Sequence, residues 1–269
     1  MKAVASAIFL FWMGIAVVDA QEKVVIGGSG SMTDGMAELA KAYLAKHPSE
    51  SVQVVMDGMS NTGGMEGTKM GRLAIGLVTD EPKGADKEKL VYKVVGRLPV
   101  GVALNKSIPV GKLSTAEICD VFSGKITSWN EVGGNNAKIL VVTRKRDDAN
   151  TRPFREKMAC FKNLQITPDA IALDRGGDVL DAVNVRPNTI ALVSVDPADT
   201  IDRQNLKTVA IDGVLPTLEM VQAGKYKFYN EKGIVTLGAP QGAVKRFVEF
   251  LGSPEAHKIL VSRGMIPVK

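Results

Sequence analysis

The sequence predicts an α/β protein, and three observations carry that reading. Short aliphatic runs recur early in the chain: KVVIG at 23–27, VQVVM at 52–56 and AIGLV at 74–78. Glycine-rich turns follow the first two runs. Helical apolar patterns then lead from each run to the next. Strand, helix, strand in that rhythm aligns parallel strands in a sheet with helices packed over it.

The elements follow in order. Beyond the first run, Met36, Leu39, Ala40, Tyr43 and Leu44 fall on one helical face, and His47 with Pro48 ends that helix. The second run leads through GMSNTGG at 58–64 into a helix reaching about Arg72. Residues 91–104 read as long, apolar and extended. Ser114 and Glu117 have capping-box spacing for a helix to about Phe122. Residues 138–143 form a strand. Pro153 suits the first turn of a helix carrying Phe154, Met158 and Phe161. Then come a strand at 189–195, a helix at 216–223 and a return strand at 226–237. Two helices close the chain; Ser253 and Pro254 open the last, and Gly264 stops it. No repeat, low-complexity tract or Pro-rich linker interrupts this order.

Lys2, the apolar stretch from Ala3 to Val18 and the small-residue end at Ala20 read as an export signal at 1–20, cleaved before Gln21. The apolar stretch is shorter than the ~20 residues a spanning helix needs. A periplasmic, soluble chain is therefore expected, and its roughly 250 remaining residues suffice for two cores. Net charge is +5 with 5% aromatic residues, and the basic residues are scattered. Nucleic-acid binders instead group basic residues with aromatics, so no nucleic-acid partner is expected. His47 and His257 each stand alone, and no spacing suggests a metal or a cofactor. Cys119 and Cys160 are the only cysteines. An exported chain could bridge them or bury two free thiols, and the sequence leaves both open.

Chemistry concentrates in four places. GGSGSM at 27–32 follows a strand and opens a helix. Glycine lets the backbone turn sharply, and a helix start offers N–H groups and partial positive charge to an anion. An ordinary strand-to-helix turn with a serine cap has the same composition. The stretch is no P-loop, nucleophile elbow or complete GxGxxG. GMSNTGG at 58–64 repeats the arrangement, so two such turns lie at neighbouring strand ends, where α/β proteins bind ligands. Asp80 ends the third strand. Beside an anion it makes sense if that anion brings a proton, as hydrogen phosphate does and sulfate at neutral pH does not. It reads equally as a turn aspartate. Residues 144–152, RKRDDANTR, link a strand to a helix and supply arginine forks suited to a phosphate.

DVFSGKITSWNEVGG at 120–134 resembles a signature of the phosphate-binding proteins of bacterial ABC importers. GGSGSM at 27–32, RDDANTRPF at 146–154 and FVEFLGSPEAHKILVSRGMIPV at 247–268 resemble the same family, in the same order. The resemblance implies the two-lobed periplasmic-binding-protein fold, each lobe a mainly parallel sheet flanked by helices. Two crossing strands near 98–104 and 226–237 would join lobe I (21–99 plus 230–269) to lobe II (100–229).

It also implies three ligand-holding loops. The first supplies Ser31 and the amide of Met32. The second supplies Asn61 and Thr62, where the family commonly has serines. Asp80 fits the family's proton acceptor if one residue is inserted before it. In the third, the family's Gly-Ser-Gly-Thr is here Asp148, Ala149, Asn150 and Thr151. Asn150 and Thr151 carry over, and the serine hydroxyl is lost at Ala149. Counted from the strand, the family's arginine falls on Arg144; counted back from Thr151, on Lys145, with Arg146 adjacent. Arg144 is the first choice and Arg146 the second. The implied function is capture of inorganic phosphate by a monomer, without covalent chemistry, for a membrane permease of an ABC importer. Alternatives are another oxyanion on the same fold, a phosphate sensor or surface protein, or, against the lack of a Ser/His/Asp set, a secreted hydrolase.

Overall fold

The computed structural model describes residues 22–57, 59–144, 149–195 and 203–268. The expected export signal at 1–20 and, in the third loop, Lys145 and Arg146 lie outside these residues.

Chain order begins β1 (Lys23–Gly28), α1 (Thr33–Lys46), β2 (Ser51–Val54), α2 (Asn61–Lys69), β3 (Ile75–Val78), α3 (Ala85–Lys89) and β4 (Leu90–Asn105). The middle of the chain gives β5 (Lys112–Leu113), α4 (Thr115–Ser123), β6 (Leu140–Arg144), α5 (Arg152–Lys157), β7 (Ile171–Leu173), α6 (Gly176–Val185), β8 (Thr189–Ser194), β9 (Leu206–Ile211) and α7 (Leu218–Gln222). The chain closes with β10 (Tyr229–Leu237), α8 (Gly242–Phe250), α9 (Pro254–Ser262) and β11 (Ile266–Pro267).

The strands run β2-β1-β3-β10-β4-β8-β6-β7, with β9 and β11 also against β4 and β5 against β9. The parallel pairing of β1 with β2 and β3 is the one the βαβ rhythm predicts; β6 with β7 and β8, and β5 with β9, are parallel as well. The centre is antiparallel, which departs from the mainly parallel sheets expected. The cause is β4, 16 residues long. Its first part pairs with the returning β10 and its second with β8 and β9. An outward pass and a return pass laid side by side must run in opposite directions.

Each part of the sheet is buried on both faces. Val24, Ile26, Leu77, Leu98 and Ile234 pack under α1, α8 and α9, while Met65 of α2 covers Val78 and Val235 on the other face. A separate cluster begins at Val100 and gathers Phe122, Trp129, Phe154 and Phe161. Val179, Leu180 and Val183 of α6 cover the face opposite to it. The apolar core thus changes identity between Leu98 and Val100.

The 120–134 signature is scaffold. Gly124 and Gly133 both take φ 80° to end their helical turns. Trp129 is fully buried and its indole donates to the Asn188 carbonyl at 3.0 Å. A side chain at Gly134 would meet the Trp129 carbonyl at 2.9 Å.

The helix predicted through Phe161 is shorter than expected. It stops at Lys157, Met158 is extended, and a 3-10 turn at Ala159–Phe161 follows. That break carries Cys160 to Cys119, and the two form a disulfide.

Candidate functional site

At the end of β1, Gly28 has φ 141° and lies against β3; a Cβ there would sit 2.3 Å from the Leu77 carbonyl oxygen. Only glycine fits. The chain then turns: the Ser29 amide donates to Leu77 O at 2.9 Å, and the Met32 amide donates to Ser29 O at 3.0 Å. The amide of Met32 therefore closes the turn and is not turned outward. Ser31 is exposed, and its hydroxyl lies 3.1 Å from that of Ser29.

The second turn lies alongside the first. Met59 pairs with Ser29 in a parallel bridge. Ser60 caps α2, its hydroxyl accepting from the Gly63 amide at 3.1 Å. Asn61 Oδ1 accepts from the Thr79 amide at 2.7 Å, so this side chain fixes the end of β3 just before Asp80. Thr62 is exposed beside it.

The third turn supplies a residue that the sequence reading passed over. Arg152, in the first turn of α5, forms an ion pair with Asp80. Its Nη2 also donates to the Thr79 carbonyl at 3.0 Å and to Asn230 Oδ1 at 3.2 Å. Burial lowers the Arg152 pKa from its ordinary value, opposed by the nearby Glu156 carboxylate. Arg152, Asp80 and Asn230 line a cleft of about 330 Å³.

Strand β10 completes the arrangement. Asn230 and Lys232 are both 1% exposed. Two apart on a strand, they share a face. Lys232 Nζ donates to Ser31 Oγ at 2.8 Å. Six contacts, joined by the short chain steps from Met59 to Asn61, Thr79 to Asp80 and Asn230 to Lys232, thus form a ring: Ser31 to Ser29, Met59, Asn61, Thr79 and Asp80, Arg152, Asn230, Lys232 and back to Ser31.

Three sequence-predicted residues gather in an adjoining group. Arg144, Asn150 and Thr151 line a recess beside Gly176 at the start of α6. Arg144 Nη2 donates to the Asp174 carbonyl at 2.9 Å, and Asn150 Oδ1 accepts from Ser194 Oγ at 2.8 Å. Thr151 is buried and immediately precedes Arg152. The structure thus brings Ser31, Asn61 and Asp80 into the ring, sets Met32 and Thr62 beside it, and groups Arg144 with Asn150 and Thr151. Arg146 is outside the described residues.

Arg152, Asn230 and Lys232 were missed, although signals existed. Arg152 stands in the quoted RDDANTRPF segment. Lys232 is a lone charge at an inward position of the predicted return strand. Among the described residues, no group of three or more His, Cys, Asp or Glu side chains could hold a metal ion.

A family model for the PBP superfamily domain matches residues 17–255. The phosphate-binding protein PstS of Bacillus subtilis is 28% identical over 253 residues, which is 93% of this chain and 82% of that protein. An X-ray structure from Clostridium perfringens, assigned as a phosphate ABC transporter substrate-binding protein and holding phosphate, superposes with TM-score 0.78. It is 28% identical and covers 92% of this chain and 100% of its own. An ABC-type phosphate transport receptor from Vibrio cholerae shares the fold, with TM-score 0.71 at 23% identity over 91% of this chain and all of its own.

Proposed function

Because the chain belongs to the PBP superfamily, we propose that it is an exported substrate-binding protein that captures inorganic phosphate and hands it to the membrane permease of an ABC importer. The observation that carries this reading is the closed ring from Ser31 through Asp80 and Arg152 to Lys232. It links hydroxyls, a guanidinium, an ammonium and the Asp80 carboxylate along the turns that open α1, α2 and α5. Relatives and neighbours that bind phosphate support the choice of ligand.

The chain acts by exchange of partners, with no covalent step. Phosphate leaves water and meets fixed donors from Ser31, Thr62, Thr151 and the arginines, Arg152 and either Arg144 or Arg146. Each hydrogen bond to a charged group is worth roughly 1.5–3 kcal/mol, so a few account for micromolar binding. Asp80 accepts the proton of hydrogen phosphate. Sulfate has no proton to give, and its oxygens would face a carboxylate.

We assign 21–99 with 230–269 to one lobe and 100–229 to the other, the phosphate lying between them. The change of core between Leu98 and Val100 supports that division.

Native mass spectrometry of the purified chain tests the ligand: one adduct of phosphate mass is expected, and no adduct at millimolar phosphate would overturn the reading. One observation favours a second oxyanion as ligand, namely Ala149 where the family's third loop has serine. A thermal-shift panel of phosphate, sulfate, molybdate and arsenate separates the two, phosphate giving the largest shift if the first reading holds.

A further inference from the structure

Lys232 stands out among the described residues as a lysine with 1% exposure in the middle of a strand whose next inward-facing side chain, Ile234, is core. An ammonium withdrawn from water to that degree is costly unless anionic or strongly polar groups meet it. Three features aim this one at the ring. Its Nζ donates to Ser31 Oγ at 2.8 Å, at the first turn leading into α1. Beside it the β4–β10 ladder is interrupted: Lys232 pairs with Gly96 and Gly233 with Val94, so Val95 of β4 is a bulge at this point, a feature that collects next to sites. Two residues back on the same face, the Nδ2 of Asn230, itself 1% exposed, has no hydrogen-bond partner among the described residues. A buried donor left without an acceptor is the mark of a place where a ligand supplies one.

Resting on the phosphate reading above, we propose that Lys232 is a ligand-holding residue whose ammonium, with the Asn230 amide, donates to the bound anion beside Ser31. Lys232 then adds an ammonium to the arginines of the ligand-holding loops, of which Arg152 is already paired with the Asp80 carboxylate. That added charge suits a divalent anion, and it offsets the hydroxyl absent at Ala149. The charge comes from the crossing strand and not from a loop, so it is in place before the ligand arrives.

Calorimetric titration of the wild-type chain, Lys232→Met and Lys232→Arg with inorganic phosphate tests this. Methionine keeps the length and loses the charge. At least tenfold weaker binding is expected for Lys232→Met, with Lys232→Arg in between, both folded by circular dichroism. A folded Lys232→Met variant binding as tightly as the wild type overturns the proposal. A wild-type chain that binds no phosphate overturns the functional reading instead, and this inference with it. Should Lys232→Met fail to fold, the wild-type Lys232 ammonium resonance, assigned from the Lys232→Arg spectrum, must move when phosphate is added. A stationary resonance at saturating phosphate is the contrary result.

Discussion

The guanidinium of Arg152, at the start of α5, holds the carboxylate of Asp80 at the end of β3. Their chain neighbours belong to separate cores: Phe154, two residues beyond Arg152, lies in the cluster that begins at Val100, whereas Leu77, three residues before Asp80, lies in the one under α1. The pair therefore ties together the two parts of the sheet, joining the end of β3 to the start of α5.

Removing Arg152 leaves Asp80 facing an approaching anion without its counter-charge. Arg152→Ala should weaken phosphate binding at least tenfold. Adding Asp80→Asn should restore part of the loss, since contacting residues couple non-additively. Calorimetry of the two single variants and the double variant checks this, and additive losses would remove the pair from the binding step.

Asp80→Asn alone should admit sulfate, because an amide can donate to an oxygen that a carboxylate repels. Competition of labelled phosphate with a hundredfold excess of sulfate measures it. Unchanged rejection of sulfate takes Asp80 out of the selectivity account.

The Cys119–Cys160 bridge closes a loop with a sequence separation of 41, entirely within the region of the second core. Constraint of an unfolded loop of that size is worth about 4 kcal/mol in the chain-entropy account. Replacing both cysteines with serine should lower the melting temperature by on the order of 10 °C for a chain of this length. Phosphate affinity at room temperature should be unchanged, because the bridge lies outside the ring. Differential scanning fluorimetry of the oxidised and reduced protein gives the first number, and calorimetry the second.

Glu50 supplies a pH dependence. Its carboxylate accepts from the Tyr43 hydroxyl at 2.7 Å and from Arg246 Nε at 2.7 Å. Burial pushes the Glu50 carboxyl up, but these two hydrogen bonds outweigh it and hold the group below its ordinary value of 4.5. Burial and the bond to Glu50 raise the Tyr43 phenol to about 12, so it remains the donor. The stabilisation from Glu50 is complete above the unfolded value and is lost as pH falls through the lower folded one. Glu50→Gln should therefore melt below the wild type at pH 7, and the gap should shrink as acid carries the pH below 4.5 and through the lower folded value. A gap that persists in acid contradicts the assignment.

Periodicity and motif order made most of the scaffold legible. The helix starts at Thr33 and Asn61, the capping box at Ser114, the return strand and the terminal helices all carry local signals. Helix α6 did not, because it opens on Gly176 and Gly177 with Arg175 at its cap and no side-chain capping bond. Strand β7 is three residues long, too short for alternation to register. In the site, turn composition marked the stretches 27–32 and 58–64, and the family resemblance singled out Ser31 and Asn61 within them. Arg152 and Lys232 owe their place to packing between segments distant in sequence, 72 residues apart for Arg152 and Asp80 and 201 for Lys232 and Ser31. No local pattern encodes such a meeting.

On the phosphate reading, one anion is gripped inside the ring that joins Ser31 to the Asp80–Arg152 pair. A crystal structure of the wild-type chain grown with phosphate tests it most directly. Tetrahedral density within hydrogen-bonding distance of Ser31 Oγ, with Asp80 and Arg152 also in contact, is the predicted result. Phosphate bound elsewhere on the chain, or a ring that stays empty at saturating phosphate, contradicts it.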